Sequence, residues 1–419
     1  SGHLGCFGTT RVGKTRLVEH IVAQDIRKGY SVLIIDPKGD HELFNRVVQT
    51  AVETGRLDEV MLLTPIFPRV SIHVGPLTSY YMQDELVNML ISGVKAKEDY
   101  FIAIAQEVSQ AIVAGLVALR HADRDPRPLT FLDVKDRIGF KDLVAFAEEL
   151  ARVPGTDDVR RSIQQMIQSP NLADFWAKVS SSFRTTLSAL TFGAVGEIMG
   201  RATVNAVIER LESGKRVIVV AQTGSLLTQR TSVLVGKMLI SMIQALVGRL
   251  FSSGRVLTPP LCLHIDEGHN VLYAGFQELI NKGGGANCWV HFYTQSLAQI
   301  EAEVGPEYAR SIVDNINTWL YLLVNHPETA QHIEATSPLR HRYEPVLQMG
   351  GDVTIRTVEG PAIRADRVLR LPKRWFYCRS YGKVWKGMTA DVADTWLKVR
   401  WPVIRPQSVE AGAAEAGQS

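Results

Sequence analysis

Short apolar runs recur along the chain, and helical patterns separate most of them. The runs are Leu4–Phe7, Ser31–Asp36, Val60–Thr64, Arg216–Ala221, Leu261–Asp266, Trp289–Thr294 and Trp319–Val324. Turn residues bound each run, and within a run the positions are apolar throughout rather than alternating. This pattern predicts parallel strands in a sheet that helices cover on both faces.

A long interval between the third and fourth runs has no strand pattern. Its periodicity predicts amphipathic helices over Asp99–His121, Phe140–Arg152 and Asp158–Gln168. We therefore predict an α/β domain that is discontinuous, with residues 1–75 and 200–406 separated by an inserted all-α domain at residues 76–199. Short β-like pieces are expected over Gly350–Val384, and residues 407–419 are predicted to form a disordered tail.

Composition sets broad limits. The 419 residues are 46% hydrophobic and 21% charged, so the chain can bury a large core. A net charge of +3 neither requires nor excludes nucleic acid. The four cysteines lack Cys-x-x-Cys spacing, which favours a reducing compartment over a disulfide or cysteine–zinc framework.

The sequence shows no membrane span or signal peptide by composition. The most apolar helical stretch, Ser232–Phe251, is interrupted by Lys237, Gln244 and Arg249, so we interpret it as a buried helix. The chain opens on its first strand without a Met, and we expect it to be a fragment whose upstream part was removed.

The first chemical motif is a complete Gly-x4-Gly-Lys-Thr phosphate-binding loop between a strand and a helix. The expected nucleotide-binding residues are Gly8, Thr9, Thr10, Arg11, Val12, Gly13, Lys14, Thr15 and Arg16. The glycines let backbone N–H groups surround the β-phosphate, and the helix N-terminus adds its dipole. Lys14 is expected to reach the β- and γ-phosphate oxygens of ATP, and Thr15 to ligate Mg²⁺.

A second motif is an apolar strand that ends in Asp266 and Glu267. The carboxyl end of a buried parallel strand faces the ligand crevice, where Asp266 can hold Mg²⁺ and Glu267 can polarise the attacking water. Gln295, at the end of the next strand, is placed to sense the γ-phosphate. By themselves these residues also fit a solvated strand exit and an ordinary helix start. Together with the phosphate loop they predict a P-loop ATPase of the kind found in ring motors.

Four segments together resemble type IV secretion coupling proteins of the TraD/TraG kind. They are Gly8–Thr15, Ile34-Ile-Asp36-Pro-Lys-Gly-Asp40, His264-Ile-Asp-Glu-Gly-His-Asn270 and Tyr293-Thr-Gln-Ser296. The second segment is the most distinctive, because generic P-loop proteins do not share it. The similarity covers the chain to about residue 330 and implies a RecA-like P-loop ATPase core with an inserted all-α domain.

The resemblance also implies partners and a location. It implies a homohexamer at the cytoplasmic face of the bacterial inner membrane, with a membrane anchor upstream of this chain. ATP turnover in such a protein drives single-stranded DNA, with its attached relaxase, from the relaxosome proteins to the type IV secretion channel. Family members often carry an arginine shortly after the Asp-Glu strand that reaches the γ-phosphate bound to the neighbouring subunit. In this sequence Lys282 and Arg310 are the two candidates for that role.

Several residues allow two interpretations. Asp36 either fixes the phosphate loop, lies near Mg²⁺, or simply ends a strand with Lys38 in a turn. Basic residues of the inserted region alternate with acids, which favours a solvated helical surface; they include Lys95, Lys97, Arg120, Arg124, Arg127, Lys135 and Arg137. The cluster Lys373–Tyr377 with Arg379, Tyr381, Lys383 and Trp385 either packs or binds single-stranded nucleic acid. His264 and His269 are expected to be structural.

Two rival functions fit the same motifs. One is an ATPase that moves or assembles secreted proteins without DNA, and its turnover should not respond to DNA. The other is a docking module in which nucleotide only stabilises the fold, and it should bind its partners equally well after Lys14→Ala. Glu267 argues against the second rival, because a docking fold has no need of a catalytic acid.

Overall fold

The structure is a computed structural model that describes residues 2–94, 99–167, 176, 180–273, 275–347 and 353–402. The predicted tail, residues 407–419, and Gly350 lie outside the described residues.

The centre of the fold is a nine-stranded sheet with the order β11-β10-β7-β1-β6-β5-β2-β4-β3. The strands, with a separate hairpin β8–β9, are β1 (Leu4–Phe7), β2 (Ser31–Asp36), β3 (Val60–Leu63), β4 (Ile218–Gln222), β5 (Leu261–Ile265), β6 (Cys288–Thr294), β7 (Thr318–Tyr321), β8 (Leu339–Leu347), β9 (Val353–Pro361), β10 (Trp375–Ser380) and β11 (Lys383–Met388). The first seven strands are parallel; β10 pairs antiparallel with β7, and β11 pairs antiparallel with β10 at the edge of the sheet. The predicted α/β fold is confirmed, and the apolar runs located all seven parallel strands.

Helices connect the strands and fill the interval between β3 and β4. They are α1 (Lys14–Arg27), α2 (His41–Glu53), α3 (Gln83–Ser92), α4 (Asp99–Ala122), α5 (Phe131–Lys135), α6 (Phe140–Leu150), α7 (Asp157–Ile167), α8 (Ser181–Thr191), α9 (Ala206–Glu212), α10 (Ser225–Ser252), α11 (Phe276–Gly283), α12 (Leu297–Val304), α13 (Pro306–Asp314), α14 (Pro327–Ala335) and α15 (Ala365–Val368). A helical turn, Gly193–Val195, and a π-helical turn, Gly196–Gly200, follow α8.

Both faces of the sheet are buried. Val22 of α1 and Val47 of α2 cover one face in a cluster with Ile34 of β2. On the other face, α10 and the helices between β3 and β4 join the sheet in one continuous hydrophobic cluster. The predicted inserted domain, residues 76–199, thus shares a core with the sheet, and its boundaries stay a prediction.

Two helices, Tyr100–Ala122 and Ser225–Ser252, are long and apolar enough to cross a membrane by length and composition alone. This corrects the expectation that no stretch would meet that description. Their most apolar windows are 50% and 72% buried within the protein. The second helix contains the predicted stretch Ser232–Phe251, and its side chains, such as Met238 and Ile243, are buried in the main cluster.

Residues 389–402 form a C-terminal segment that packs along α2 and contacts α1 where Asp394 lies 3.7 Å from Arg16. Trp401 stacks on His41 with ring centroids 5.0 Å apart and also contacts Phe44. The backbone N–H groups of Trp396 and Val399 donate to the side chains of Gln49 and Asn45. The segment thereby ties the end of the described chain to the helix that begins at the phosphate loop and to the helix after it.

Candidate nucleotide-binding and catalytic site

Four neighbouring strands bring the predicted site residues to one edge of the sheet. In the order β1, β6, β5 and β2, their carboxyl ends lead into the phosphate loop, Gln295, the Asp266–Glu267 pair and the turn after Asp36. Parallel strands end at a common edge, so four segments that are distant in sequence meet there.

The phosphate loop, residues 8–15, is attached to the strands beside β1. The Gly8 N–H donates to the Thr294 carbonyl at 3.1 Å, and the Thr9 N–H donates to the Leu323 carbonyl at 2.9 Å. Gly13 immediately precedes α1 with φ of 105°, a conformation that suits only glycine well. The loop is therefore held open at the N-terminus of α1, where free N–H groups and the helix dipole attract an anion.

Lys14 fits a phosphate group. Its ammonium is buried, makes no hydrogen bond within the part of the chain that the structure describes, and lies 3.5 Å from Oε1 of Glu267. A buried ammonium without hydrogen-bond acceptors is costly, and phosphate oxygens would supply them. The phosphate loop thus has the chemistry that a nucleotide triphosphate needs.

Glu267 occupies the centre of the site. Gln295 Nε2 donates to its carboxylate oxygens at 3.1 and 3.3 Å, and Lys38 Nζ lies 2.7 Å from Oε1. Burial opposes ionisation, but Lys14, Lys38 and Gln295 together outweigh it and lower the pKa of Glu267 to about 2. The residue has φ of 47°, a left-handed conformation that places the carboxylate directly after the end of β5.

Lys38 is the site residue that sequence reasoning missed. Besides its contact with Glu267, its ammonium lies 3.4 Å from Oδ2 of Asp266, so it bridges both acids. The favoured interpretation placed Lys38 in a plain turn. Recognising its role needed the knowledge that β2 is the direct neighbour of β5, which the sequence does not state.

Asp36 organises the turn that carries Lys38. Its buried carboxylate accepts hydrogen bonds from the backbone N–H groups of Lys38, Gly39 and Asp40 at 3.0, 3.0 and 2.5 Å. Burial, reinforced by Asp266 and Asp40, raises the pKa of Asp36 to about 6. This geometry corresponds to the structural alternative for Asp36.

The remaining residues of the predicted binding loop lie in different surroundings. Thr10 and Arg11 are exposed, and Thr15 is half-buried. Arg16 pairs with Glu19 at 2.9 Å on α1. The carbonyl of Val12 accepts from the Arg374 N–H at 2.9 Å, a contact with the C-terminal part of the chain that the sequence did not indicate.

The predicted structural histidine and the two candidates for the trans-acting residue also lie in different surroundings. His269 lies 3.2 Å from the Thr294 hydroxyl and 3.9 Å from Glu267. Lys282 pairs with Glu278 at 2.5 Å, whereas Arg310 is exposed on α13. Within the described residues, neither Lys282 nor Arg310 pairs with Asp266 or Glu267 of its own chain.

The proposed nucleic-acid contacts are mostly engaged elsewhere. In the inserted region Arg120, Arg127 and Arg137 form ion pairs with acids, as expected of a solvated helical surface. Lys95 and Lys97 lie outside the described residues. In the C-terminal cluster, Lys386 lies over the Trp375 ring, while Tyr381 and Trp385 are 72% and 51% exposed.

Comparisons with known proteins give two family matches and a set of similar structures. The model of the TraM recognition site of TraD and TraG matches residues 260–336, and the model of the helicase HerA central domain matches residues 1–100. The bacterial conjugative coupling protein TrwBdeltaN70, unbound, shares the fold with a TM-score of 0.68 at 16% identity over 94% of this chain and 86% of that one. These matches confirm the resemblance to the TraD/TraG coupling proteins.

Two further structures resemble this TraD/TraG-like chain. The plasmid coupling protein TrwB in complex with ADP and Mg²⁺ has a TM-score of 0.63 at 16% identity, over 94% of this chain and 86% of that one. VirB4 of Thermoanaerobacter pseudethanolicus has a TM-score of 0.54 at 12% identity, over 93% and 89%. None of the curated proteins matches the chain. The TraD/TraG-like chain thus has the RecA-like P-loop ATPase fold.

Proposed function

We propose that this chain is an ATP-driven coupling protein that recruits single-stranded DNA, with its relaxase, and moves it to a type IV secretion channel. The observation that carries the proposal is the convergence of Lys14, Asp266, Glu267 and Gln295 on one edge of the sheet. The proposed working form is a homohexamer at the cytoplasmic face of the bacterial inner membrane, with residues 76–199 as its helical domain.

Each residue has a defined role in the proposed mechanism. Lys14 and the N–H groups of the phosphate loop bind the β- and γ-phosphates of ATP, and Thr15 and Asp266 would hold Mg²⁺, which would neutralise phosphate charge. Glu267 activates the attacking water, and Gln295, at the end of the neighbouring strand, senses the γ-phosphate. Phosphate oxygens compete with Glu267 for Lys14, so nucleotide binding frees the carboxylate.

The residue-level test is Glu267→Gln. The amide keeps the size of the side chain but cannot accept a proton, so we expect ATP binding to be retained and turnover to fall by about 10²- to 10⁴-fold. Glu149→Gln, an exposed carboxyl on α6, serves as the matched control and should leave turnover unchanged. Undiminished turnover of Glu267→Gln would remove Glu267 from the mechanism.

The substrate is tested by steady-state ATP hydrolysis over a range of protein concentrations, with and without single-stranded DNA, against a Lys14→Ala background. Stimulation by DNA that rises steeply with protein concentration supports an assembling DNA motor. Turnover that ignores DNA supports the protein-moving rival. Partner binding without any turnover above the background supports the docking module.

A further inference from the structure

A buried cluster of three metal-ligating side chains lies beneath the catalytic edge of the sheet. It consists of Asp25 from α1, His264 from β5 and His291 from β6. All three residues are more than nine-tenths buried, with exposed fractions of 4%, 0% and 7%. His264 and His291 are direct partners in the parallel register of β5 and β6, so both rings emerge on the sheet face that α1 covers.

The distances suit one ion. Asp25 Oδ2 lies 3.2 Å from His264 Nε2 and 3.7 Å from His291 Nδ1. Ligand atoms about 2.0–2.1 Å from a tetrahedral ion are separated by about 3.4 Å, which these contacts bracket. The two imidazole rings are nearly perpendicular, at 89°, so their nitrogens can converge on a point from different directions.

Two of these atoms have no hydrogen bond. Asp25 Oδ2 and His264 Nε2 are buried and, within the described residues, neither forms a well-aligned hydrogen bond; each only faces the other, at the 3.2 Å of an Asp–His ion pair. A buried polar atom without a partner is costly, and a cation between them would satisfy both. The other nitrogen of His264, Nδ1, lies 3.1 Å from the Tyr293 hydroxyl, an outer contact of the kind that orients a metal-binding histidine. It also lies 3.3 Å from His291 Nδ1, a contact that the ion would replace.

We propose that Asp25, His264 and His291 bind a divalent transition-metal ion such as Zn²⁺. Two imidazoles and one carboxylate are ligands that such ions prefer, whereas Mg²⁺ prefers an all-oxygen site. Lys28 contacts the other carboxylate oxygen, Oδ1, at 3.6 Å and leaves Oδ2 for the ion. The ion would join α1, β5 and β6, the three elements that lead from or into Lys14, Asp266 and Gln295.

The direct test uses the full chain without a polyhistidine tag, purified from zinc-supplemented growth and measured by native mass spectrometry and elemental analysis in excess Mg²⁺. We expect one equivalent of Zn²⁺ per chain and an absorption spectrum typical of Co²⁺ with nitrogen and oxygen ligands after Co²⁺ substitution. A folded wild-type chain that carries no Zn²⁺ overturns the proposal and leaves an Asp–His ion pair.

Substitution of the cluster residues tests which side chains bind the ion. Asp25→Asn and His291→Gln should lose the equivalent of Zn²⁺ and should no longer melt at a higher temperature when Zn²⁺ is supplied. His20→Gln, on the same helix as Asp25 but outside the cluster, is the matched control and should keep the metal. Retention of a full equivalent by Asp25→Asn would contradict this site. These measurements need no ATP turnover, so their result is independent of the proposed function.

Discussion

At the scale of single residues, Glu267 is held in a charge environment unsuited to proton transfer. Two ammonium groups and one amide stabilise its ionised form and lower its pKa to about 2. A general base works best when its pKa is near the working pH, so this arrangement resembles a resting state. Whatever draws Lys14 and Lys38 away from the carboxylate raises its basicity.

Lys38→Met tests this coupling. Loss of the 2.7 Å contact removes a positive charge from Glu267 and raises its pKa. Glu267 must be ionised to act as a base, so the variant should lose activity at a higher pH than the wild type when the solution is acidified. The measurement is the pH profile of kcat/KM for ATP hydrolysis. Lys141→Met, on the exposed face of α6, is the control. If kcat/KM falls at the same pH on acidification in the wild type and in both variants, the coupling is contradicted.

Lys38 also shows what the sequence could not supply. Glu267, Lys14 and Gln295 were predicted because each ends or follows an apolar run, and these runs are visible in one dimension. The partner of Glu267 depends on which strands are neighbours, and β2 lies next to β5 although more than two hundred residues separate them. The Asp25–His264–His291 cluster was missed for the same reason.

At the scale of elements, the strands were predictable because a parallel sheet buried on both faces requires continuous apolar runs. The bounds of the hairpin β8–β9 and of strands β10 and β11 were harder to predict. The prediction of short β pieces over Gly350–Val384 covers all of β9 and β10 and the start of β11, but β8 lies before it, at Leu339–Leu347. These strands are more exposed than the seven parallel strands, so their apolar signal is weaker.

Gly5 in β1 tests how tightly the sheet is packed. A Cβ at this position would lie 2.5 Å from the ring of Trp319, which is fully buried and stacks on Phe7. Because the ring has no free space to enter, we expect Gly5→Ala to lower the free energy of unfolding by about 1–3 kcal/mol. Chemical denaturation measures the change.

Gly248→Ala is the matched control for that substitution. Gly248 lies within α10, and a Cβ there would meet nothing within 4 Å. Alanine is the better helix former, so this variant should be neutral or more stable by up to about 1 kcal/mol. Equal stability of the two alanine variants would show that the contact with Trp319 relaxes freely.

At the scale of the whole molecule, the two acids of the catalytic edge, Asp266 and Glu267, are paired with lysine ammonium groups, and no arginine side chain pairs with either acid within the described residues. A ring of subunits would supply that cation from a neighbour. Lys282 is already paired with Glu278, whereas Arg310 is exposed on α13, so we favour Arg310 as the trans-acting residue.

Subunit mixing tests this assignment. Lys14→Ala and Arg310→Ala should each be inactive alone, because every interface lacks one partner. Mixed before assembly, they should regain part of the turnover, since some interfaces then combine an intact phosphate loop with an intact arginine. Lys282→Ala should remain active. Activity of Arg310→Ala alone, or no recovery on mixing, would argue against a shared site.

Strand β11 is an edge strand of the nine-stranded sheet. The strand contains two lysines, Lys383 and Lys386, and its Trp385 and Met388 are about half exposed. Lysines on an edge strand disfavour its pairing with a strand of another chain. Edge-to-edge pairing between copies at β11 is therefore disfavoured, which protects the protein from aggregation through its open sheet edge.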